Sequence, residues 1–146
     1  MIVRVSIREG FIRKESVATA FYRYTDPQEA GSRSDIRWAT LTSPVGGAGL
    51  RVDATGKHLL GMSVYPCAAA DITLAMHPGD LPKRDFYTLN LDHLQSGVAG
   101  KNSWGALVLP KYQIPSGKVY KWSFLLTPTD SPVVKKAALP RTIPGQ

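Results

Sequence analysis

The sequence predicts an all-β protein, an antiparallel β-sandwich with one short helix near residues 68–77. Three observations carry that prediction. Apolar and polar residues alternate with a period of two in stretch after stretch, glycine and proline pairs stand between the stretches, and only one segment has the composition of a helix.

The elements follow in order. Ile2, Val3, Val5 and Ile7 are separated by Arg4 and Ser6, the pattern of a strand buried on one face. FYRY at 21–24 reads as a second strand, DIRWATL at 35–41 as a third and GLRV at 49–52 as a fourth. Strands over 59–65, 86–91 and 119–126 follow, with a shorter candidate at 106–109. Pro44 to Gly47, Pro78-Gly79 and Pro115 to Gly117 supply the turns. AAADITLAMH, from Ala68 to His77, is rich in helix formers and stops at Pro78-Gly79. Residues 1–128 are expected to form the domain. Residues 129–146 are expected to be a tail, because their later part holds three prolines and no alternation.

A chain of 146 residues has the length of one domain, and its 43% apolar and 20% charged residues are those of a folded one. The net charge of +7 raises the question of nucleic acid, but the basic residues are scattered singly and in pairs, so a solvated surface is expected and no nucleic-acid partner. Cys67 is the single cysteine, which excludes an internal disulfide and a cysteine-based zinc site. Arg4 and Arg8 interrupt the apolar N-terminus, unlike a secretory signal, and no run approaches the length of a membrane span. A soluble chain is expected, without a membrane partner and with the cytoplasm favoured.

Catalytic patterns are sparse. The three glutamates are Glu9, Glu15 and Glu29, and most of the eight aspartates stand where turns and strand ends account for them. His58, His77 and His93 lack metal-ligand spacing, Ser103 has no nucleophile elbow, and GVAGK at 97–101 does not match a phosphate loop. No catalytic residue, metal ligand or cofactor is therefore expected in this segment. Aromatic and amide side chains remain, and rings stack on the apolar faces of sugars while amides bond hydroxyls. Trp38 and Trp122 lie in apolar strand patterns and read as core. Trp104 stands in a glycine-rich loop and reads equally as a core or a site residue. The candidate carbohydrate-binding residues are His58, Tyr65, His93, Asn102 and Trp104.

Three longer motifs are more specific. PQEAGSRSDIRW at 27–38, HPGDLPKRDFYTLNLDHLQSGVAGKNSWGA at 77–106 and YQIPSGKVYKWSFLLTP at 112–128 together resemble the C-terminal region of the bacterial β-galactosidases of glycoside hydrolase family 2. The resemblance implies that the chain is part of a terminal super-sandwich domain similar to the galactose mutarotase fold. It also implies that the two catalytic glutamates and the magnesium lie on a barrel outside this segment. The expected partners are that barrel or a second copy of the chain, with a galactoside as candidate ligand. In some members a loop of this domain lends an aromatic ring to the sugar pocket; that loop would fall at 53–58, where His58 is the only planar side chain. Two departures stand out: Ala30 where the family has Asn, and Lys101 where it has Asp. The expected function is a non-catalytic domain supporting a β-galactosidase barrel. A stand-alone galactose- or glycan-binding module and a mutarotase-like epimerase are the alternatives.

Overall fold

The computed structural model describes residues 1–7, 11–22, 31–46, 48–96 and 105–130. Among these the chain forms seven strands, β1 (Ile2–Ile7), β2 (Ile12–Ser16), β3 (Arg33–Thr42), β4 (Leu50–Ala54), β5 (Leu60–Tyr65), β6 (Thr88–Asp92) and β7 (Phe124–Pro128). Two short helices accompany them, α1 (Val17–Ala20) and α2 (Ala69–Leu74). All strand pairs are antiparallel. The fold is all-β and sandwich-like, as the alternation predicts. No helix among the described residues is long and apolar enough to cross a membrane.

The central strand is β3. One of its edges pairs with β1, and the other is divided between two wings: residues 38–41 pair with β4, whereas Arg33 and Ile36 pair with Met62 and Leu60 of β5. The division falls between Ile36 and Trp38, opposite a register shift in β1 between Ser6 and Ile7, and a bulge lies within the β5 pairing between Arg33 and Ile36, where Asp35 takes φ of 57°. Aspartate tolerates this left-handed conformation better than most residues, and a bulge bends its strand. The sheet thus runs β2-β1-β3-β4-β7, with β5 and β6 leaving it as a separate arm.

The two wings share one core. Val3 and Val5 of β1, Ala39 and Leu41 of β3, and Val52 of β4 pack with Leu60, Met62 and Val64 of β5. Val17 and Ala20 of α1 close one end of it. A second, smaller core joins Phe21, Cys67 and Ile72, with Tyr65 and Leu81 against it. Burial pushes the Cys67 thiol above its ordinary range, and the neighbouring Asp71 carboxylate adds to that shift.

Several elements differ from expectation, helix α1 among them. Phe21 and Tyr22 follow α1 and are not in a strand, because Phe21 turns into the second core and its backbone N–H caps the helix by donating to the Val17 carbonyl at 2.8 Å. Strand β2 was hidden by its composition, since Ile12, Arg13 and Lys14 lie exposed at a sheet edge and the half-buried Glu15 is held by an ion pair to Arg33 rather than by an apolar face. Residues 106–109 form no strand among the described residues, and the last strand begins at Phe124 rather than at 119. The helix expected over 68–77 is realised over Ala69–Leu74, followed by a 3-10 turn at Pro78–Asp80. Asp71 starts it by accepting the Ala68 N–H at 2.8 Å, and Arg84 grips the same carboxylate at 2.6 Å and 3.1 Å. Of the segment expected as a tail, 129–146, Thr129 is tied to the sheet, its N–H donating to the Gly49 carbonyl at 2.9 Å, and residues 131–146 lie outside the described ones.

Candidate functional site

Three segments converge beside the division of the sheet. The connection from β4 to β5 turns at Gly56, with φ of 74°, and presents His58 at the surface. His93 follows β6 directly. It stands next to the close approach of Gly61 and Asp92, where a Cβ on the glycine would come within 3.1 Å of the Asp92 Cβ. The extended approach to β7 carries Tyr120 and Trp122, and it is tied to the β4–β5 connection by a 2.6 Å hydrogen bond between the Thr55 and Ser123 hydroxyls.

These segments assemble a ladder of rings with His93 at its centre. The His93 ring lies parallel to Trp122, with centroids 5.8 Å apart and planes 6° from parallel, and meets His58 edge-on at 5.1 Å. Tyr120 closes on His93 at 6.4 Å, and Phe124 on Trp122 at 5.1 Å. The His93 Nδ1 is buried and has no hydrogen-bond partner among the described residues. A buried ring nitrogen without a partner is costly, of order 1–3 kcal/mol.

Tyr120 also belongs to an open depression of about 370 Å³, walled by Tyr112, Ile114 and Pro115 and flanked by Lys111 and Lys118. The Tyr120 hydroxyl holds one wall by donating to the Pro115 carbonyl at 2.8 Å. The Gln95 amide donates to the Ser32 hydroxyl and the Gln113 amide to the Val108 carbonyl, each at 2.7 Å, which fixes both side chains at the depression. The ring ladder adjoins the depression through Tyr120. Among the described residues no three His, Cys, Asp or Glu side chains gather into a metal-binding group.

The five expected site residues are distributed unequally. His58 and His93, separated by the length of β5, α2 and β6, are brought into ring contact. Tyr65 lies apart from them: its ring packs on Phe21 at 5.6 Å, and its hydroxyl accepts from the Ser63 hydroxyl, which in turn accepts from the Asn90 amide, both at 3.0 Å. Asn102 and Trp104 lie outside the described residues, as do Ala30 and Lys101.

Sequence reasoning placed Trp122 in the core and left Tyr120 unassigned. Trp122 is instead 37% exposed and stacks on His93. The signal was present: Tyr120, Trp122 and Phe124 recur at every second position, separated by Lys121 and Ser123, so one side of the segment is wholly aromatic. Trp38 is half-buried and carries the Arg51 guanidinium over its ring at 4.6 Å, while Arg51 holds Asp53 through two 2.7 Å bonds.

Comparison with known proteins agrees with the motifs. The family described as beta galactosidase small chain matches residues 12–126. A β-galactosidase of Priestia megaterium is 31% identical over 117 residues, 80% of this chain and 11% of that protein. One from Bifidobacterium adolescentis is 37% identical over 94 residues, 64% of this chain and 9% of its own length. One from Lactobacillus delbrueckii is 34% identical over 102 residues, covering 70% and 10%. This chain therefore spans about a tenth of the relatives it matches. The match runs from β2 into β7 and includes all three segments that build the ring ladder, and on that extent the chain belongs to the β-galactosidase small-chain family.

Proposed function

We propose that the chain serves as a non-catalytic sandwich domain of a family 2 β-galactosidase-type glycoside hydrolase, related to the mutarotase-like terminal domain, and that it supports the catalytic barrel. The observation that carries this reading is the family match over 12–126, together with relatives in which the matched region is about a tenth of the length. Retaining hydrolysis uses two carboxyl groups about 5–5.5 Å apart. In this reading that pair, and the magnesium, belong to the rest of the enzyme. The test is complementation: the Priestia megaterium β-galactosidase lacking the region that matches this chain is mixed with the chain. Restored galactoside hydrolysis supports the reading; association without recovery of activity, or no association, counts against it.

A second reading is favoured by the parallel stack of His93 on Trp122. Here the ladder binds galactoside by itself. Titration calorimetry with galactose and lactose at millimolar sugar should then give heat that Trp122→Ala abolishes, and an absence of heat from the unaltered chain overturns this binding role.

A further inference from the structure

We infer that the free edge of β7, together with the ring ladder beside it, receives an apolar β-strand flanked by carboxylates from the remainder of a β-galactosidase. This assignment rests on the domain reading above and adds the face that docks and the chemistry it meets. Three strands end the sheet among the described residues, β2, β6 and β7, each paired on one side only. Exposed edges invite pairing with another chain unless charges guard them. Arg13 and Lys14, both exposed, guard β2, and Asp92 stands on β6. From Phe124 to Pro128, β7 carries no charge at all.

The core also stops short at this edge. Leu126 pairs with Val52 and Phe124 with Ala54, so Leu126 and Phe124 lie on the face that carries the main core. Val52 is 1% exposed, whereas Leu126 one strand further out is 49% exposed and Phe124 37%. The β5 wing covers β1, β3 and β4 and leaves β7 bare. Trp122 and His93 continue the uncovered surface from Phe124 towards Tyr120, giving a central aromatic patch of the kind that anchors an interface.

Charge selects the occupant. Residues 105–126 hold Lys111, Lys118 and Lys121 and no carboxylate, and among the described residues none of these lysines pairs with an acid. A second copy would bring the same lysines against them. Residues 131–146 carry Lys135, Lys136 and Arg141 and likewise no carboxylate. A strand with an apolar centre and acidic margins fits all three observations: the open edge, the unfinished core and the basic rim.

Sedimentation velocity of the full chain mixed with the Priestia megaterium enzyme lacking the matching region tests this. The unaltered chain should co-sediment, and its affinity should fall at least tenfold for Lys118→Glu/Lys121→Glu and on raising salt to about 0.5 M. Leu126→Asp should abolish the complex, and circular dichroism checks that both variants retain their strands. If both variants bind like the unaltered chain, the docking face is overturned while the domain reading stands. If the unaltered chain does not bind, both fall. If the chain alone forms a dimer that the lysine reversals leave intact, the occupant is a second copy and the acidic strand is overturned.

Discussion

Gly31 shows how much one residue can constrain this fold. Its φ is 85°, and a Cβ at that position would meet the backbone oxygen of Ala20. Its own carbonyl accepts from Arg33 Nη1 at 2.6 Å, and Arg33 also donates to Ala20 O at 3.2 Å and to Glu15 at 2.6 Å. One guanidinium thereby gathers β2, α1 and the start of β3. Gly31→Ala combines a left-handed backbone with a steric conflict against main chain. It should cost roughly 1–3 kcal/mol, read as a lower urea midpoint with an unchanged slope. The sequence shows a glycine in the first motif; that its neighbour is the carbonyl of Ala20 is a fact of the folded chain. His58 and His93 divide the same way. Their ring types were legible as candidates, but their contact depends on how β5 and β6 pair.

Among the elements, α2 is the one whose stability depends most directly on pH. It is six residues long, too short to persist without tertiary support. The Arg84 guanidinium, and then the Ala68 backbone N–H, hold the Asp71 carboxyl below the usual carboxylate range. A depressed carboxyl contributes stability that is fully present above its unfolded pKa and is lost as pH falls through the folded value. The docking of α2 should therefore loosen in acid, at a pH below the ordinary aspartate range. Arg84→Met should move that transition upward, towards the ordinary range, as followed by amide exchange at residues 69–75. Alanine content and Pro78-Gly79 made the helix legible, although its last expected turn is absent: the Ala75 N–H still bonds the Asp71 carbonyl at 3.0 Å, yet Ala75 itself is already extended. Strand β2 was not legible, because an edge strand without a buried face has no apolar period to show.

At the scale of the whole molecule, the core ends between β4 and β7. Met62 is 1% exposed and Leu126 49%, although both belong to strands that the main core reaches or adjoins. Met62→Ala should cost about 2–5 kcal/mol by leaving a cavity, and Leu126→Ala under about 1 kcal/mol, because a half-exposed side chain has less apolar area to lose. Equal losses at the two positions would mean that β7 is covered in solution. Strand alternation, helix α2 and the three motifs were readable in order along the chain, and with them the all-β class and the family, whereas α1 was not. Alternation, however, records only which side of a strand is apolar, and it is blind to what lies opposite that side.

The sequence by itself determined the class of fold, the family and the residue types available for a site, because period, turn chemistry and motif spacing are local or linear properties. The tertiary structure decided which rings meet, that Tyr65 belongs with Phe21 rather than with His93, and that Trp122 faces outward. The physical reason is that one edge of β3 is divided between two wings, β5 at Arg33 and Ile36 and β4 from Trp38 on, and the pairing of strands far apart in sequence sets which apolar faces are closed and which remain open.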